Sequence, residues 1–172
     1  MNTIIILLRG INVSGKNKIP MKELKALLEE LDYSDVKTYI QSGNIVLKTE
    51  EHLREVEKRI HTKIKEKYGY EVAVLAKEIK EVIEILQNNP YNHLPEKQQY
   101  FTFLFNGVKV EELGVDAKED EFTILKDIVY VNAVGGYGKT KLTNNFFERK
   151  LKVSATTRNF KTTNHLVELA TS

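Results

Sequence analysis

Within the first 77 residues the hydrophobic period switches in a fixed order, and that order restricts the chain to few folds. Thr3 to Leu8 is a short run of Ile and Leu stopped at Gly10, the pattern of a strand buried on both faces. After a polar loop, Pro20 supplies a pre-organised first helical position. Leu24, Leu27, Leu28 and Leu31 then recur at i, i+3, i+4 and i+7, one apolar helix face ending near Asp32. Val36 to Gln41 and Asn44 to Lys48 are β-prone runs joined at Ser42-Gly43, where glycine can take the positive φ of a tight hairpin turn. Leu53, Val56, Ile60 and Ile64 mark a second amphipathic helix closed by Gly69, and Glu71 to Ala76 alternates as a fourth strand. The order is β-α-β-β-α-β, the ferredoxin-like unit with two helices on one face of an antiparallel sheet.

Residues 78–172 read as a second α+β unit of related topology, ending in helices that pack back toward the first, residues 1–77. Ile79, Val82, Ile83 and Leu86 give a helix broken at Asn88-Asn89-Pro90. Tyr100 to Phe105 is a strand that puts Phe101, Phe103 and Phe105 on one face, as core and not as a ligand platform. A short helix is expected near Val110 to Leu113, then a hairpin of Glu121–Lys126 and Ile128–Ala133. Two helices are expected to finish the chain, Thr143 to Leu151 and Thr157 to Ala170, each capped by a threonine. No residue-level repeat or low-complexity segment is visible.

Composition removes several classes of function. With no cysteine in 172 residues there is no disulfide framework, thiolate zinc site, iron–sulfur cluster or cysteine nucleophile. A cytoplasmic protein is the expectation, with neither a membrane span nor a signal peptide. The net charge of +2 is too small by itself to announce a nucleic-acid binder. Its distribution is uneven, however. Val134 to His165 holds seven cations against Glu148, net +6, whereas Lys109 to Glu121 is net −4. Arg9 to Lys22 contains Arg9, Lys16, Lys18 and Lys22 and no acid. If the two basic segments meet, they make an anion-attracting surface. An ordinary solvated surface accounts for the same pattern.

Three constellations could carry chemistry. Ala133 to Thr140 fits a loose P-loop, but its strand belongs to a hairpin and no later hydrophobic strand ends in Asp to hold magnesium. A parallel sheet is what lets backbone N–H groups wrap a phosphate there, so a nucleoside triphosphatase is not expected. The loop Arg9 to Pro20 combines glycines, asparagines and cations beside a helix N-terminus, which suits an anion or a plain soluble connector. In the run Ser154 to Thr163, a helix would put Arg158, Lys161 and His165 on one face, with Phe160 and Val167 on another. Capping and a solvated basic face explain that run equally well. The four histidines lack metal-ligand spacing, no G-x-S-x-G elbow occurs, and neither central strand has the aromatics that stack RNA bases.

Leu7-Leu8-Arg9-Gly10-Ile11-Asn12-Val13 with Gly15-Lys16-Asn17 and Met21, Thr38-Tyr39-Ile40-Gln41-Ser42-Gly43-Asn44, Lys141-Leu142-Thr143 and Thr156-Thr157-Arg158-Asn159 occur in this order. Together they resemble the bacterial family known as domain of unknown function 1697. The resemblance implies an α+β protein with ferredoxin-like elements, no established activity and a signature of polar loop residues. Thr140 stands where the family has Ser, and Phe160 where it favours Trp. The first departure weakens the P-loop reading further, and the second touches a detail of packing or stacking.

The leading expectation is a binding module for a phosphate-bearing ligand, nucleotide or nucleic acid, with no cofactor, metal or membrane partner. Arg9, Lys16, Lys141 and Arg158 would supply charge. Asn12, Asn17, Asn44 and Asn159 would bond sugar or base edges, beside Ser42, Thr143 and Thr157, with Gly10 and Gly43 admitting close backbone approach. An enzyme acting on a phosphorylated small molecule is the first alternative, short of a visible general base. A protein-interaction or oligomerisation module is the second.

Overall fold

The computed structural model describes residues 1–109 and 113–172. The chain forms two compact units, Met1–Ile83 with His165–Ser172, and Glu84–Asn164. Both are α+β, each built on a four-stranded antiparallel sheet.

In the first unit β1 (Asn2–Leu8), α1 (Met21–Glu30), β2 (Ser34–Tyr39), β3 (Asn44–Thr49), α2 (Leu53–Tyr68) and β4 (Val74–Glu78) form a sheet of order β2-β3-β1-β4 with two helices. Central β1 is buried on both faces, Ile4 to Leu8 being at most 3% exposed, which is why its sequence does not alternate. Ile4, Ile6 and Leu8 pack with Leu24, Leu27 and Leu28 of α1 and Val56, Ile60 and Ile64 of α2. Each such aliphatic side chain contributes roughly 1.5–3 kcal/mol on full burial. Gly69 closes α2 with φ +75° and its N–H on Lys65 O. Three boundaries differ from the sequence reading. Pro20 is extended at the N-cap and the helix begins at Met21. The hairpin turn is four residues, Ile40 to Gly43, because β2 ends where Tyr39 pairs Asn44. β4 begins at Val74, where the register opposite β1 sets Leu8 against Val74 and Ile4 against Glu78.

α3 (Ile79–Gln87) leads into the second unit, which holds β5 (Gln99–Leu104), β6 (Glu121–Leu125), β7 (Ile128–Asn132), α4 (Asn144–Leu151) and β8 (Ala155–Asn159). α5 (Phe160–Thr171) leads out of it, and the sheet order is β6-β7-β5-β8. Leu104, Val129, Val131, Leu142, Phe146, Phe147 and Leu151 share one core. Phe101 and Phe103 are buried as expected, while Phe105 lies half-buried past the strand end. The largest correction concerns residues 155–159. They form an edge strand paired to β5 in place of a helical turn, so Arg158, Lys161 and His165 do not share a helix face. The helix expected near Val110 falls on residues 110–112, outside the described residues. Among the described residues no helix is long and apolar enough to cross a membrane.

Candidate functional site

In the first unit the Arg9–Pro20 loop is a small finger. Asn12 N–H bonds Asn17 O, and Lys16 N–H bonds Val13 O, giving a two-residue turn at Ser14-Gly15. Both turn residues have positive φ, 50° and 74°, the sign pattern of a type I′ turn. Gly10, Asn12 and Asn17 also have positive φ, and asparagine tolerates that region better than other L residues. The Asn12 amide locks the finger: Oδ1 accepts from Ile19 N–H at 2.9 Å, and Nδ2 donates to Ile19 O at 3.0 Å and Gln41 O at 2.9 Å. Asn17 Nδ2 donates to Gly10 O at 3.1 Å.

The same bonds bring the finger to the β2–β3 turn. Leu8 N–H donates to Gly43 O, and Arg9 N–H to Ala73 O. Asn44, fully buried, donates from Nδ2 to Tyr39 O and to Ser42 Oγ at 2.7 Å. The amides of Asn12, Asn17 and Asn44 therefore hold loops in shape, while Lys16 and Lys18 extend into solvent. A cleft of about 410 Å³ opens among Asn12, Gly15, Lys18, Ile19, Pro20, Met21 and Gln41.

In the second unit Asn144, which sequence reading missed, joins two motifs. Its Nδ2 donates to Ala155 O and its Oδ1 accepts from Thr157 Oγ1, both at 2.9 Å. With the Thr157 hydroxyl donating there, the 2.8 Å contact across the strands has Thr102 Oγ1 as donor. Thr143 caps α4 by accepting from Phe146 N–H. Asn159 caps α5 by accepting from Thr162 N–H at 2.8 Å. Arg158 is buried, donating to Thr156 Oγ1 and Thr157 O, and burial pushes its guanidinium down to about 10.

Lys141 and Thr143 line a cleft of about 540 Å³ with Asn145, Phe146, Arg149 and Lys150, while Gly114, Val115 and Asp116 complete its lining. The Arg149 guanidinium lies 5.8 Å from the Phe146 ring centroid. Among the described residues no carboxylate is at ion-pair distance from Lys141, Arg149 or Lys150. The signal for Arg149 and Lys150 was present in the basic stretch, since both fall one to two turns beyond Thr143 on α4. Asp116 comes from the acidic segment and has no sequence cue linking it to them. The P-loop-like residues form an irregular turn after an antiparallel strand, with a 3₁₀ turn at Tyr137–Lys139 and no α-helix until Asn144. Among the described residues no three His, Asp or Glu side chains gather as a metal site requires.

The sequence profile of the protein family of unknown function DUF1697 matches residues 1–130. The chain belongs to that family. DUF1697 membership thus rests on Met1–Ile83 of the first unit and on the second unit as far as Tyr130, and Lys141, Thr143 and Thr157–Asn159 lie beyond the matched span. The chain is also similar in fold to the conserved bacterial protein SP0830 from Streptococcus pneumoniae, with a TM-score of 0.76, 24% identity and 98% of each chain covered. No curated protein matches this DUF1697 member.

Proposed function

We propose that the chain is a binding module for a phosphate-bearing ligand, a nucleotide or a nucleic acid, centred on the cleft of the second unit. The observation that carries this reading is the trio Lys141, Arg149 and Lys150 around a cleft of about 540 Å³ with no carboxylate at ion-pair distance among the described residues. Cleft volumes of roughly 300–1,000 Å³ suit nucleotide-sized ligands, and cations left unneutralised are available to phosphate oxygens. The strand order β2-β3-β1-β4 with two helices on one face supports the finer ferredoxin-like reading of the first unit.

Titration with nucleotides and short oligonucleotides at rising salt tests the proposal. Saturable binding should weaken with salt and fall about tenfold to a hundredfold in Lys141→Ala or Arg149→Ala, since a charge-assisted bond contributes roughly 1.5–3 kcal/mol. Unchanged affinity in both variants would sink it. Arg158→Ala is a poorer probe, because that side chain is buried and braces β8. A protein-interaction role has one observation in its favour: Val13 and Ile40 are 55% and 48% exposed, on segments tied together by the Asn12–Gln41 bond. Partner capture that survives high salt and is lost in Val13→Ser would support it.

A further inference from the structure

Resting on that reading, we infer that the cleft of the second unit selects a small phosphomonoester carrying an amino or hydroxyl donor at its far end, and disfavours a polyanion. Lys141, Arg149 and Lys150 reach it from α4 and its lead-in, whereas Asp116 reaches it from the separate Gly114–Asp116 segment. Asp116 forms no ion pair with the three cations, so its carboxylate lines the same cleft beyond ion-pair distance of each of them. Its Oδ1 accepts from Lys118 N–H at 3.0 Å, which fixes the carboxylate near its own backbone. That bond uses one lone pair and leaves the group able to accept from a ligand donor. A continuous phosphate chain laid through the cleft would bring a second negative group against Asp116, whereas a ligand with phosphate at one end and a donor at the other matches both poles. Phe146, under Arg149, supplies an apolar surface for the body between them.

The test is an amide-shift NMR titration of the full chain with orthophosphate, ethyl phosphate, 2-aminoethyl phosphate and a short oligonucleotide. 2-Aminoethyl phosphate is expected to bind about threefold to fivefold more tightly than ethyl phosphate, the range of a solvent-exposed ion pair. Asp116→Asn keeps the oxygen that Lys118 N–H uses, and it should erase that preference while ethyl phosphate binds as before. Equal affinity for the two esters in the unaltered chain, or tighter binding of the oligonucleotide per phosphate, would overturn the inference and leave the phosphate-binding reading standing, provided Lys141→Ala still weakens all of them. Absence of saturable shifts at the cleft with any of the four compounds would overturn both.

Discussion

At Gly43 two constraints meet on one Cα: φ is +86°, and a Cβ would lie 2.7 Å from Leu8 Cβ and 3.0 Å from Ile11 Cδ1. Gly10 shares only the first, with φ +70° and open space where a Cβ would go. The pair therefore separates backbone strain from overpacking. Gly10→Ala should cost about 1–2 kcal/mol, the left-handed penalty alone. Gly43→Ala should cost about 2–5 kcal/mol, because Leu8 and Ile11 are core side chains that cannot swing aside and overpacking adds to the strain. Urea unfolding of both variants measures the difference, and equal losses would show that the Leu8 contact yields without cost. Glycine at a turn was legible in the sequence. The crowding was not, since it depends on the end of β1 lying beside the turn, with Leu8 N–H bonded to Gly43 O. The asparagines of the expected site teach the same lesson: an amide in a polar loop is read as a ligand contact, yet Asn12 and Asn44 spend theirs on backbone carbonyls, of Ile19 and Gln41 and of Tyr39.

Among the elements, β8 and α5 meet at Asn159, whose side chain decides where strand ends and helix begins. Its Oδ1 holds Thr162 N–H, and Thr163 Oγ1 donates to the Asn159 carbonyl. Asn159→Ala should lose about 1 kcal/mol and speed hydrogen exchange at Thr162, while Asn159→Asp keeps the acceptor and most of the stability. An alanine variant as protected as the parent would mean the helix is fixed by packing alone. Helices α1 and α2 were legible because one-sided burial imposes a period on their residues, and strands β1 and β3 because burial on both faces leaves short, nearly unbroken apolar runs. β8 was not. Ala155-Thr156-Thr157-Arg158-Asn159 has a cap-rich composition that suits a helix start, and it becomes a strand only because β5 offers a free edge and Thr102 meets Thr157. The finger at Asn12–Asn17 escaped for another reason: its turn uses Ser14 before Gly15, where Asn-Gly or Asp-Gly is the usual signal. The second unit's cleft was half legible. Its cations lie close together in the chain, on α4 and its lead-in, but Asp116 is more than twenty residues away, and only folding sets it at the cleft.

For the molecule as a whole, net charge is a poor guide and the fate of individual charges a better one. Of the seven cations from Val134 to His165, Arg158 is buried, and Lys141, Arg149 and Lys150 line one cleft. Acidity shows the same dependence on burial. Each unit carries two tyrosines that resist ionisation: Tyr33 and Tyr68 in the first, Tyr91 and Tyr130 in the second, with burial the largest cause in all four. Tyr33 and Tyr68 also donate to Glu51 and Glu23, and those carboxylates disfavour a phenolate beside them. Tyr130, pushed up to about 12, donates to Ile85 O at 2.8 Å. A phenol raised in the folded state stabilises fully below its unfolded value near 10 and loses that contribution as pH rises toward 12, because the unfolded chain has already released the proton. Stability should therefore fall through that window in both units, with Tyr130 alone accounting for about 1.4 kcal/mol at pH 11. Tyr130→Phe should be about 1 kcal/mol less stable near pH 8 for want of the Ile85 bond, yet lose less between pH 10 and 11 than the parent does. Urea midpoints at the three pH values decide it: parallel pH slopes for parent and variant would assign the alkaline loss to groups other than Tyr130.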